Sequence, residues 1–251
     1  MKFRSFLQMV AILSTMVAGQ CLAQSKLHPR ILILVTSADR FANGQPTGLW
    51  LEEYAVPYNA FAQSGFAITV VSPKGGVAPV DPRSKGTPEQ EKQWAEATKS
   101  LQSTLRLSSA IRAADFDGIF IPGGHGPLFD LATDEQAIQL ISQFAQSGKQ
   151  IASVCHGPAA LVAVTLSNGE PLVKGRRITS FSDAEEKAAG SETLVPFSVQ
   201  QKLAALGAQY SQGKDFAEYA VADGNLITGQ NPSSSAKVAD MLIHRMVDAP
   251  R

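Results

Sequence analysis

Cysteine is nearly absent: the chain of 251 residues holds two, Cys21 and Cys155, which excludes a disulfide-stapled scaffold. Charge of one sign is missing as well, with 22 basic side chains against 22 acidic ones. No basic stripe of the kind a nucleic-acid partner needs is present. The apolar run from Phe6 to Val17 is shorter than the roughly 20 residues of a membrane-spanning helix. Four histidines, His28, His125, His156 and His244, are scattered with no paired-ligand spacing, so no metal is expected. Tandem repeats and low-complexity tracts are lacking.

What is present begins with a leader pattern. Lys2 and Arg4 precede the apolar run, and Cys21-Leu22-Ala23 offers the small residues that signal peptidase reads. The expectation is a signal peptide over 1–23, export to the periplasm or the medium, and no membrane attachment after cleavage. An uncleaved anchor or lipid attachment at Cys21 are the alternatives. Residues 24–251 then form one domain with a single thiol, Cys155, in an oxidising compartment.

Along that domain, short aliphatic runs alternate with amphipathic ones. Strands are expected at Arg30 to Val35, Ala67 to Val71, Gly118 to Ile121, Gln150 to Val154, Arg177 to Ser180, Glu218 to Ala222 and Leu226 to Thr228. Helices are expected at Leu49 to Gln63, Glu89 to Ile111, Asp134 to Ser147 and Ser233 to Val247. The polar stretch from Lys74 to Pro88 reads as a surface excursion. A βαβ rhythm of this kind implies an α/β fold with a mostly parallel sheet covered on both faces, whose ligands gather at the carboxyl ends of the strands.

Two such ends carry chemistry. Ile151-Ala152-Ser153-Val154 runs into Cys155-His156-Gly157-Pro158, the outline of a nucleophile elbow, in which a helix start would lower the thiol pKa. Ile121 runs into Pro122-Gly123-Gly124-His125-Gly126, a glycine loop at the same sheet edge. Its N–H groups and that of His156 are candidates for an oxyanion hole. His125 is either a substrate contact or a loop hydrogen-bonder.

The elbow, the glycine loop and the segment from Thr47-Gly48 through Glu53 to Pro57 together resemble the PfpI superfamily, which shares its fold with class I glutamine amidotransferase domains. Within it, the chain is similar to the heat-shock chaperone and glutathione-independent glyoxalase branch. The resemblance spans about Leu32 to Val247 and implies a flavodoxin-like three-layer sandwich. By position it makes Cys155, His156 and Glu53 catalytic, with Glu186 of Ser180-Phe181-Ser182-Asp183-Ala184-Glu185-Glu186 as the acid behind His156; Asp183 and Glu185 are alternatives. Gly123, Gly124, His125 and Gly126 are assigned to oxyanion and substrate binding.

The implied reaction converts methylglyoxal or a related 2-oxoaldehyde to a 2-hydroxy acid through a Cys155 hemithioacetal, without cofactor or metal. Glu53 acts as the proton shuttle, its pKa raised by partial burial. The implied partners are a small reactive carbonyl and, by resemblance alone, a second copy in a homodimer. Other readings are a redox-sensitive chaperone or deglycase-like protein with unfolded-protein clients, and a cysteine-dependent peptidase or amidase.

Overall fold

The computed structural model describes residues 28–248; the leader and Cys21 lie outside them. In chain order the elements are β1 (Arg30–Leu34), α1 (Leu51–Gln63), β2 (Ala67–Ser72), α2 (Pro88–Gln93), α3 (Ala95–Ser100), β3 (Leu105–Arg106), β4 (Gly118–Ile121), α4 (Glu135–Gln146), β5 (Gln150–Val154), β6 (Arg177–Ile178), α5 (Asp183–Ala188), α6 (Val199–Ala205), β7 (Gln209–Tyr210), β8 (Ala220–Asp223), β9 (Leu226–Gly229) and α7 (Ser235–Asp248).

The main sheet has the order β3-β2-β1-β4-β5-β9-β8. Every pairing is parallel except β8 with β9, which the Asp223-Gly224-Asn225 turn folds into an antiparallel hairpin. Both faces are covered, which explains why β1, β4 and β5 read as near-continuous apolar runs. Alternate residues still divide: Leu32, Leu34, Ile119, Ile121 and Ile151 join the core under α4. Ile31, Ile33, Val35, Phe120, Ala152 and Val154 pack on the other side with Tyr54 and Phe61 of α1 and Leu242 of α7. The result is a three-layer, flavodoxin-like sandwich.

Two elements differ from the sequence expectation. The helix expected over Glu89 to Ile111 is broken: α2 ends at Trp94, α3 follows, and the chain then becomes edge strand β3. The free edge of β2 captures it, with Leu107 N–H donating to the Ser72 carbonyl and the Ser72 and Thr104 hydroxyls 2.7 Å apart. The strand expected over Arg177 to Ser180 pairs only at Arg177–Ile178, in a separate two-stranded sheet with β7. Its continuation serves the site: Thr179 N–H donates to Thr228 Oγ1 and Phe181 N–H to the Cys155 carbonyl.

Candidate active site

Cys155 sits just past β5 with φ of 60°, in the left-handed region that costs a non-glycine residue about 1–2 kcal/mol. The turn is held on both sides: Cys155 N–H donates to the Gly229 carbonyl, and the Cys155 carbonyl accepts from Phe181 N–H, each at 2.9 Å. A strained conformation persists only where its surroundings over-determine it. The elbow expected from the sequence is therefore present, but the element after it is a five-residue 3-10 helix, Gly157–Leu161, rather than an α-helix.

That difference corrects the expected acidic thiol. Cys155 is only 4% exposed, and its thiol is pushed well up, first by burial and then by the adjacent Glu53 carboxylate. The short 3-10 turn carries too little aligned dipole to offset both effects.

Glu53 enters from the first turn of α1. No side chain of Trp50 caps this helix; instead Ser84 Oγ accepts from Leu51 N–H and the Gly123 carbonyl accepts from Trp50 N–H, which pins the helix start against the glycine loop. Glu53 is fully buried while its neighbour Glu52 is half-buried, as their angular separation on a helix requires. Glu53 Oε2 accepts from Gly123 N–H at 2.8 Å. Oε1 makes no hydrogen bond, and the carboxyl lies close enough to the Cys155 thiol for each to shift the other's proton affinity. Burial raises the Glu53 pKa to about 8, as expected, though the burial is complete rather than partial.

On its other contact, Cys155 Sγ lies 3.2 Å from His156 Nδ1. His156 Nε2 lies 2.7 Å from Glu186 Oε2, which completes a Cys-His-Glu relay. Of the three acids proposed behind His156, the structure brings Glu186 there. Glu185 is buried and spends its carboxylate on Ser182, Phe216 N–H and Asn231. Asp183 faces α6, accepting from Ser198 and Gln201. Ser182 caps α5. Burial alone would raise Glu186, but the hydrogen bonds from His125 and His156 outweigh it and hold this carboxyl well below the usual carboxylate range.

The glycine loop needs a narrower reading than the sequence suggests. Gly123 N–H is taken by Glu53, and Gly126 N–H donates to the Gly48 carbonyl at 3.0 Å. Both are thus removed from the oxyanion set. Gly124 N–H lies near both the Cys155 thiol and the Glu53 carboxyl and favours the charged form of each, leaving Gly124 and His156 as the candidate donors. A Cβ at Gly123 would lie 2.7 Å from each of Glu53 Oε2, His156 N and the Val154 carbonyl oxygen. Two of these are backbone atoms that cannot swing aside. Gly123→Ala is therefore expected to destabilise the fold by about 1–3 kcal/mol through overpacking, read as a lower urea midpoint at unchanged slope.

His125 is 5% exposed, and its ring is bound on both sides: Nε2 is 2.9 Å from Glu186 Oε1 and Nδ1 is 3.0 Å from Arg83 Nη2. Both ring nitrogens are thus committed within the chain, which ties His125 to the relay. Burial, then the neighbouring His156, lowers its pKa to about 4. Two of the four histidines that looked scattered in sequence meet here, with the His125 and His156 ring centroids 4.2 Å apart. The ligand atoms of His125, His156 and Glu186 lie within 4.8 Å of one another, with both Nε2 atoms on the Glu186 carboxylate.

Sequence reasoning missed Asp81 and Arg83, which lie in the supposed surface excursion. Leu49 bridges to Val80 there, drawing the stretch against the start of α1. The Asp-Pro pair was a visible turn signal, but it carried no hint of what the turn would deliver.

A parallel α/β sandwich with a buried cysteine on a strained turn at the carboxyl end of a central strand, backed by histidine and two glutamates, defines a class of cysteine-elbow proteins. The chain belongs to the DJ-1/PfpI family, whose model matches residues 47–245. It is 27% identical to the glutathione-independent glyoxalase HSP31 of Saccharomyces cerevisiae over 84% of this chain and 94% of the relative. Among solved structures, it is similar to glyoxalase III from Candida albicans, with a TM-score of 0.77 and 27% identity over 86% of this chain and 96% of that one. It is also similar to the Rapid Encystment Protein 24 kDa of Francisella tularensis, with a TM-score of 0.81 and 29% identity over 87% and 99%.

Proposed function

We propose that the protein converts methylglyoxal or a related small 2-oxoaldehyde to the 2-hydroxy acid without glutathione. The observation that carries this reading is the second acid-base group at the thiol: Glu53, buried, raised to about 8 and distinct from His156. A peptidase needs one base for its nucleophile, whereas an internal redox reaction between adjacent carbons needs a further group to carry a proton between them.

His156 Nδ1 takes the Cys155 proton as sulfur attacks the aldehyde carbon. The hemithioacetal oxygen faces the Gly124 and His156 N–H groups. Glu53, ionised at this stage, removes the hydrogen of the former aldehyde carbon as a proton and returns it to the neighbouring carbon. The oxygen on that neighbour takes the proton His156 received from Cys155 and becomes a hydroxyl, the hemithioacetal oxygen becomes the thioester carbonyl, and His156 is left neutral. The product is a lactate thioester. Water, activated by His156 with Glu186 behind it, then releases lactate and the thiol, so one water is consumed for each methylglyoxal. The names of the yeast relatives favour the same substrate class.

Export directed by the Lys2-to-Ala23 leader and assembly as a homodimer belong to this proposal, on the leader pattern and the family resemblance. Purified reduced protein is expected to form lactate from methylglyoxal in glutathione-free buffer, followed by proton NMR. Absence of lactate sinks the assignment while leaving the fold and the geometry of the relay intact.

A further inference from the structure

The Arg83 side chain is 41% exposed, yet its guanidinium is held at several points. Asp81, fully buried, accepts from Arg83 Nε at 2.9 Å, from Nη2 at 2.6 Å and from the Arg83 backbone N–H at 2.9 Å, and Thr47 Oγ1 donates to the same carboxylate at 2.9 Å. The guanidinium lies over the Phe41 ring, with its central carbon 5.3 Å from the ring centroid. Phe41 in turn packs 5.1 Å from the His125 ring. A carboxylate, a ring and a hydroxyl thus aim one Arg83 nitrogen at His125 Nδ1.

An arginine nitrogen only donates. The Nδ1 it touches must therefore present a lone pair, and the neutral His125 ring must carry its hydrogen on Nε2, which then donates to Glu186 Oε1. With His156 Nε2–H on Oε2, both carboxylate oxygens are gripped, one by each histidine. This fixes the carboxylate plane and, through it, the direction in which His156 offers Nδ1 to Cys155.

We propose that Arg83, held by Asp81, is a positioning residue that clamps the neutral His125 ring from its Nδ1 side, so that His125 and His156 together lock Glu186 and aim His156 at the Cys155 sulfur. The groups facing His125 are Arg83, Glu186, His156 and the Phe41 ring. The Glu186 carboxylate, which only accepts, fixes the hydrogen on Nε2, and Arg83, which only donates, grips the bare Nδ1, so the ring is held at both nitrogens. The inference rests on the reading of Cys155 and His156 as the reacting pair, but its geometry does not depend on the substrate.

The test uses Arg83→Met, Arg83→Lys, His125→Gln and the double variant Arg83→Met with His125→Gln. Three readouts apply: nitrogen-15 NMR of the His125 ring, the rate of Cys155 alkylation by iodoacetamide at pH 7, and kcat and KM for methylglyoxal. Arg83→Met is expected to leave His125 in its Nε2–H form, held by Glu186, while its Nδ1 resonance shifts as the hydrogen bond from Arg83 is lost. It should slow alkylation and lower kcat by about tenfold each, the scale of one lost hydrogen bond to a charged network, with KM within about twofold. Arg83→Lys should recover most of both rates. In the His125→Gln background, Arg83→Met should add nothing further, since the two act through one path.

Additive losses, an unchanged His125 Nδ1 resonance, unchanged rates in Arg83→Met, or a rise in KM alone would each overturn the proposal. If wild-type protein makes no lactate, the NMR and alkylation arms still decide it, which separates its failure from that of the functional reading.

Discussion

Cys155→Ala is expected to lower lactate formation from methylglyoxal by at least about a thousandfold, because the covalent route disappears and no neighbour replaces it. Cys155 is the free cysteine of the described residues. The nearest hydroxyl in sequence, Ser153 Oγ, is committed to the Ile121 carbonyl at 3.0 Å. His156 and Glu53 remain in place and can still move protons, but without sulfur there is no bond to hold the aldehyde carbon between them. The fold should survive: alanine carries the same left-handed backbone penalty as cysteine, and both main-chain anchors, Gly229 and Phe181, are untouched. A thermal midpoint within a few degrees of wild type, measured beside turnover, makes the result chemical rather than structural. Turnover retained above a tenth of wild type would sink the hemithioacetal route.

The alternation of apolar strands with amphipathic segments was legible in the sequence because both sheet faces are covered, so each central strand had to be apolar throughout. Cys155 was legible because a cysteine directly after an apolar strand stands out from its local pattern, whereas Glu53, one of two adjacent glutamates, was singled out only by the flanking Gly48 and Pro57 of the family resemblance. Glu186 was one of three acids on a short helix. Sequence separated it from Glu185 and Asp183 only by resemblance, because all three are chemically alike and their roles depend on which way each faces. The structure gives each a different partner: His156 and His125, the Phe216–Asn231 pair, and α6.

What stayed illegible is long-range. Asp81 and Arg83 matter only because Leu49 pairs beside Val80 and brings their loop over the glycine turn, a contact between segments that share no periodic signal. The thiol's proton affinity was misjudged for the same reason: local sequence shows the turn after the cysteine, whereas the opposing effects, burial and the carboxylate of Glu53, arrive from α1. Gly126 looked like a substrate-binding amide until Gly48 took its hydrogen.

Glu53→Gln carries the sharpest expectation, because two readouts should move in opposite directions. Turnover is expected to fall by roughly a hundredfold to ten-thousandfold, the usual scale for a lost general base. Alkylation of Cys155 should not fall. Below about pH 7 wild-type Glu53 is mostly protonated, given its pKa of about 8, so variant and wild type should react alike there. Above pH 8 the wild-type carboxylate ionises and holds the thiol proton on. The variant lacks that charge and should alkylate several-fold faster. Equal alkylation across the whole range would mean that the carboxyl does not couple to the sulfur.

Stability gives an independent check on the same group. A carboxyl raised from 4.5 to about 8 binds its proton more tightly in the folded state, so its contribution is fully present below pH 4.5 and is lost as pH rises through about 8. Glu186 and Asp81, both lowered, act in the opposite sense: they stabilise above their unfolded values and lose that contribution as pH falls through their folded ones. They are common to both proteins and cancel in the comparison. The unfolding free energy of wild type minus that of Glu53→Gln should therefore decline between pH 4.5 and 8, measured by urea titration at each pH. The base that must give up its proton for turnover is the group whose ionisation the buried site resists, so catalytic readiness and stability pull against each other at one carboxyl.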